Sequence, residues 1–296
     1  MAIVANTATT YDLIGQREDL IEDITMISPV RTPFVNRSGR TRATNTLHEW
    51  QTDELAAAAA NAHIEGDETT FTAISATTRL TNRTQILKKS VIRSGTAAVT
   101  KKAGRGDELP YQVEKLIKEL ARDLERQALQ STAAVAGNTT TARQMNGVAG
   151  FITTNETDKI TAAIAEADIH TSSRDAWTEG GEPDIILCSA FNKKSISDFT
   201  TGVTKNLEAS DKKFQKNVDV FETDFGVMQI IPSLHILADD VYLLDMSLWK
   251  IAQLRGLTVK ALAETGDAEK RHILMEVTLE SRQEKGNASI INTSTS

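Results

Sequence analysis

The chain has 296 residues, 40% of them hydrophobic and 25% charged, with a net charge of −7 at neutral pH. That composition supplies a sizeable core and excludes global disorder, which needs lower hydrophobicity and a larger charge imbalance. Residues 1–106 carry 13 Lys and Arg against 11 Asp and Glu, and residues 107–296 carry 20 against 29, so the acidic body argues against nucleic-acid binding by phosphate neutralisation.

The N-terminal stretch MAIVANTATTYDLIGQRED lacks the basic-then-apolar layout of a secretory leader. The longest apolar candidates, near Ile230–Ile231 and Ile236–Ala238, are broken by Pro232 and His235 and fall short of the ~18 residues of a membrane span. Cys188, the single cysteine, leaves no internal disulfide and fits a reducing cytoplasm.

Residues 1–45 hold Gly15, Pro29, Pro33 and Gly39 among Ser, Thr and Asn. Such an arm buries little by itself and should be disordered or laid against something else. Arg31, Arg37, Arg40 and Arg42 form a basic cluster with no acid between them, either a solvated arm or a contact. Residues 46–100 change texture. Thr70 to Thr84 and Ile86 to Ser94 are rich in Thr and β-branched residues, predicting an extended ribbon with polar faces rather than a core sheet. The Ala run from Leu55 to Ala60 predicts one or two helical turns at most.

Asp107 to Ser131 predicts a long helix. Asp107 is a cap, Pro110 falls in the first turn, and Leu109, Val113, Leu116, Ile117, Leu120, Leu124 and Ala128 recur on one face. Residues 156–235 read as an α/β unit with helices over Asp158–Ala167 and around Trp177. Asp184–Cys188 predicts a buried strand, Ser189 a cap for a helix through Phe199, and Gly226–Ile231 another strand. Strand-like pieces follow at Val241–Leu244, Trp249–Leu254, Thr258–Leu262 and His272–Leu279.

Chemical motifs are sparse. His48, His63, His170, His235 and His272 show no metal-ligand spacing, and His48-Glu49 is an isolated pair. Cys188 sits in an apolar run where a thiol is usually inert. Asp224-Phe225-Gly226 resembles the magnesium triplet of kinases but lacks the accompanying phosphate-binding elements. Trp50, Trp177 and Trp249 do not interleave with basic residues, as a base-stacking platform requires. No catalytic, cofactor or metal site is expected.

The order of parts is the strongest signal: polar arm, Thr-rich ribbon, long helix, α/β body, late strands. This resembles the Hong Kong 97-type capsid fold of tailed bacteriophages. Its segments TYDLIGQREDL (Thr10–Leu20), ISPVRTPF (Ile27–Phe34) and HEWQTDELAAAAANAHIEGD (His48–Asp67) look like one phage branch of that family. So do TDFGVMQIIPS (Thr223–Ser233), VYLLDMSLWKIAQLRG (Val241–Gly256) and KALAETGDAEKRHILMEVTLE (Lys260–Glu280).

The resemblance implies an α+β subunit. Its parts would be an N-arm (1–45), an extended loop (46–100), a spine helix with peripheral domain (101–155) and an axial domain (156–240), with residues 241–296 completing both domains. It implies self-assembly through pentamers and hexamers into an icosahedral head enclosing double-stranded DNA in the virion, after assembly in the bacterial cytoplasm. A separate scaffolding protein, a portal and decoration proteins are the implied partners, with no membrane and only weak direct contact to DNA. Arg31, Arg37, Arg40, Arg42, Trp50, Asp53 and Leu120 are the candidate assembly residues. Lys88 and Lys89 lie in the ribbon, but nothing marks a partner asparagine for a covalent crosslink. An encapsulin-like compartment shell shares the fold and is the alternative, with a soluble enzyme behind it.

Overall fold

The computed structural model describes residues 31–69, 71–100, 107–199 and 218–295. Thr10–Leu20 and most of the arm lie outside the described residues.

The described part of the arm folds onto the chain's own body. Helix α1 (Pro33–Arg37) opens on a proline, whose missing N–H costs nothing there. The amides of Phe34 and Val35 donate to the Glu125 carboxylate at 2.9 and 2.8 Å. Phe34 is fully buried and lies edge-on to Trp249, with ring centroids 5.9 Å apart. Strand β1 (Gly39–Arg42) follows.

Strands β2 (Leu47–Thr52) and β3 (Thr78–Arg83) pair antiparallel as a two-stranded ribbon. The 53–77 segment between them holds no helix or strand among its described residues, so the Ala run is not helical. Strand β4 (Gln85–Ser94) departs from the ribbon reading. It pairs along its length with a late strand and buries Leu87, so the β-branched segment Ile86–Ser94 belongs to a core sheet. Helix α2 (Gly95–Val99) ends this region.

Helix α3 (Glu108–Gln130) spans 23 residues, about 35 Å at ~1.5 Å per residue. The Asp107 side chain accepts from the Leu109 amide at 3.3 Å, and Ser131 closes the other end. Leu120, Leu124 and Ala128 are buried against β4, and burial of each such Leu contributes roughly 1.5–3 kcal/mol. Helix α4 (Val148–Phe151) doubles back on α3; at Gly147 a Cβ would meet the Ala128 carbonyl at 2.7 Å, so only glycine allows the approach.

The remaining elements are β5 (Glu156–Asp158), α5 (Glu166–Thr178), β6 (Ile185–Cys188), α6 (Ala190–Ser197), β7 (Val220–Thr223), β8 (Gly226–Pro232), β9 (Val241–Leu244), β10 (Trp249–Ala261), β11 (Ala268–Ser281) and β12 (Ala288–Ile291). They complete two sheets. One is four-stranded, in the order β1-β10-β11-β4, with β1 parallel to β10 and the rest antiparallel. The other is six-stranded and mixed, in the order β5-β12-β9-β6-β8-β7. Its central strand β6 is buried at every position, as its apolar run requires.

Two further expectations are corrected. The helix predicted over Asp158–Ala167 is absent: β5 pairs in parallel with β12, and Ile160 and Thr161 take φ of 47° and 67°, which no right-handed helix accepts. Trp249–Leu254 and Thr258–Leu262 are one strand, because register shifts around Arg255 carry β10 through the apparent break.

Candidate assembly surface

The ribbon is rooted firmly in the body. The Trp50 indole N–H donates to the Ser281 carbonyl at 2.7 Å, and its ring packs against Phe151, with centroids 6.0 Å apart. His48 lies 3.2 Å from Glu280, not against its sequence neighbour Glu49, which faces Arg79 at 3.7 Å. The buried Asn82 amide donates to the carbonyls of Leu279 (2.7 Å) and Asn146 (3.1 Å).

Beyond that root the chain exposes apolar side chains that a water-soluble monomer would ordinarily cover. Leu55 is 99% exposed, Ile64 84%, Phe71 94% and Ile74 99%. Asp53 is exposed and accepts from the Glu54 amide at 3.0 Å; Glu54 itself reaches Lys285 at 2.9 Å, which holds its carboxyl below the usual range.

All four arginines of the basic cluster are exposed. Arg37 donates to Gln229 at 2.8 Å and Arg40 to the Val35 carbonyl at 3.0 Å, so the cluster is divided between the two sheets. Leu120, 1% exposed, lies in the core, as its place on the apolar stripe of α3 requires, and so offers no surface for a contact with another copy.

Four carboxylates buried among the described residues, Glu125, Asp240, Glu276 and Glu280, escaped the sequence reading, and Glu125 and Glu276 each join distant segments. Glu125 is fully buried and clamps α1, and burial raises its pKa above the usual carboxylate range against the two amide hydrogen bonds. The only local signal is an acid directly after the apolar Leu124. Glu276 is 3% exposed and is held by Arg143 (2.5 Å), Arg255 (2.7 Å) and the Thr84 hydroxyl (2.8 Å). It ties the 132–147 lobe, β10 and the ribbon root together across long sequence separations.

Cys188 and the Asp224-Phe225-Gly226 triplet occupy structural positions. Cys188 is fully buried, and burial pushes its thiol up to about 12. Asp224-Phe225 is the turn between β7 and β8. Among the described residues no three His, Cys, Asp or Glu converge to hold a metal ion, and no helix is long and apolar enough to cross a membrane.

A rooted ribbon with an apolar, partnerless tip, a long helix on one sheet and a second mixed sheet define the class: an α+β subunit of the Hong Kong 97-type capsid fold. The capsid protein of Cyanophage P-SCSP1u is similar over 99% of this chain and 97% of that one, with a TM-score of 0.65 at 12% identity. The SrpI encapsulin of Synechococcus elongatus PCC 7942 gives a TM-score of 0.59 at 10% identity, over 92% of this chain and 94% of that one. At such identities the likeness is one of fold. Kinship in sequence separates the two: the major capsid protein of Escherichia phage Phieco32 is 31% identical, over 92% of this chain and 93% of that protein. A profile of the family described as SU10 major capsid protein matches residues 3–294. The chain belongs to that family and is a major capsid protein of a tailed phage, a virion component many copies of which assemble into the capsid.

Proposed function

We propose that the chain works as a purely structural shell subunit whose parts divide as follows. Residues 1–45 serve as the arm and 46–100 contain the extended loop. Residues 101–155 form the spine and peripheral domain, 156–240 form the axial domain, and the strands after 241 complete both. Residues 53–77 carry this reading: their apolar side chains stand in solvent while the ribbon beneath them is fixed to the body. Burial of that surface on neighbouring copies supplies many modest contacts, which closure of the shell makes collectively strong.

Arg31, Arg37, Arg40, Arg42, Trp50 and Asp53 take part in this assembly, Trp50 by setting the direction in which the ribbon leaves the body. A scaffolding protein, a portal and decoration proteins are the further partners, and assembly takes place in the host cytoplasm. The acidic body leaves packaged DNA in weak direct contact. Negative-stain microscopy and sedimentation of the purified chain test the reading. Capsomers or closed shells are the expected result, and compact monomers under all salt and crowding conditions would overturn it.

A further inference from the structure

The C-terminal half of α3 meets the turn between β8 and β9. Ile236 of that turn is buried in the same core as Leu124 and Leu129. The Gln130 side-chain amide donates to the His235 carbonyl at 2.9 Å. Its oxygen accepts from the Arg126 Nε at 3.0 Å, which holds that guanidinium beside the turn.

Arg122 lies one helical turn before Arg126, on the same side of α3. It makes no hydrogen bond or ion pair among the described residues, and its Nε is withdrawn from water without a partner. The Nε2 of His235 is withdrawn and unpartnered too. Buried polar nitrogens ordinarily find an acceptor, and two lacking one at a single junction mark a missing group.

Charge shows the same imbalance. Burial holds the His235 imidazole below its ordinary pKa, the Arg122 and Arg126 charges push the same way, and only Asp123 opposes. Lys89, from β4, already holds Asp123 at 2.8 Å. Residues 233–238 of the turn contain no acid.

We propose that Arg122, Arg126 and His235 form a binding site for a phosphate group, seated between α3 and the β8–β9 turn. Two guanidinium forks one helical turn apart offer donors to several oxygens of one tetrahedral anion, and a protonated imidazole adds another. The bound anion ties α3 to the six-stranded sheet, whose strands β8 and β9 carry the turn. Free phosphate and the backbone of DNA both supply such a group. The withdrawn nitrogens favour the free ion, which is small enough to enter the crevice. The site is independent of the shell reading, since one unassembled subunit contains all three residues.

Histidine NMR on unassembled, full-length subunits tests it. Inorganic sulfate is the probe across pH, because it keeps its charge where phosphate titrates. Sulfate should raise the His235 titration midpoint relative to chloride at equal ionic strength, whereas His63, out on the ribbon tip, should not move. By linkage, sulfate should bind more tightly as pH falls through that titration. Arg122→Gln with Arg126→Gln should weaken sulfate and inorganic phosphate at least about tenfold. Any general salting effect of these anions on melting survives that substitution and is subtracted by it. In chloride alone, Arg122→Gln should melt no lower than the wild type, because it removes an unpaired charge.

A short DNA duplex at matched phosphate concentration separates the sources. A His235 response to the inorganic anions alone assigns the free ion, and a response to the duplex alone assigns the backbone. No response to either overturns the proposal, and the wild-type titration that shows it needs no variant. A response that the double variant retains also overturns it. So does an Arg122→Gln chain that melts as far below the wild type in chloride as in phosphate, since a carboxylate of the chain itself then fills the place of the anion.

Discussion

Glu125 shows how much a single side chain organises here. Its carboxylate satisfies two amides at the start of α1, work usually done by a local cap, across about ninety residues of sequence. Burial raises its pKa, so the folded chain binds the proton more tightly than the unfolded one. The resulting stabilisation is full below the ordinary carboxylate value and is lost as pH rises through the folded value. Glu125→Gln has no such titration. The wild type's advantage over it in melting temperature should therefore shrink as pH rises from the acid side of the ordinary carboxylate value to neutrality, as read by thermal denaturation of unassembled subunits. A gap that widens instead would mean that the two amide bonds to the charged form outweigh burial. Leu120 lies one turn earlier on the same helix and is a simple packing residue. Leu120→Ala should cost about 2–5 kcal/mol of subunit stability, measurable by denaturant titration, because the space it leaves is lined by a sheet that cannot collapse freely.

At the scale of elements, the boundary between body and loop falls later in the chain than polar texture suggests. Residues 53–77 touch the body chiefly through Glu54, whereas β3 carries the buried Asn82 and β4 is an edge of the four-stranded sheet. Replacing 53–77 with a short Gly-Ser linker should leave a soluble subunit with a near-normal melting transition that cannot close a shell. Extending the replacement to 90 removes β3 and half of β4 and should abolish the cooperative transition in calorimetry. What was legible in the sequence follows the same division. Helix α3 was readable to within a residue or so because its cap, first-turn proline and apolar stripe are all local. Strands β6 and β9 were readable because an apolar run needs only burial on both sides. The β5 region was not, since its pairing with β12 lies far away in sequence and its positive φ values at Ile160 and Thr161 carry no residue signature. Nor was β4, whose two lysines look solvent-bound until Lys89 is seen to meet Asp123 and Glu119 from α3. Of the candidate site, the polar tip and the arginine cluster were legible in composition, whereas the anchoring of Trp50 on Ser281 and Phe151 was not, since both partners lie far away in sequence.

For the whole molecule, the uneven spread of charge is what makes weak contact with DNA the expected behaviour. The net charge of −7 sits mostly beyond residue 106, and the basic residues before it are spread among an arm, a ribbon root and a sheet. Isolated subunits should therefore retard double-stranded DNA only at low ionic strength. Each phosphate contact contributes a slope of about −0.9 to log affinity against log salt, so Arg31, Arg37, Arg40 and Arg42 together support a slope no steeper than about −4. Substituting all four with Gln should flatten it, as measured by fluorescence anisotropy across a salt series. Arg37 and Arg40 already donate to Gln229 and Val35, so substituting Arg31 and Arg42 alone should remove most of the effect. Tight binding that persists at about 0.15 M ionic strength, where the screening length is ~8 Å, and that survives the four changes would mean a second cationic face holds DNA, against the weak-contact reading of the shell wall.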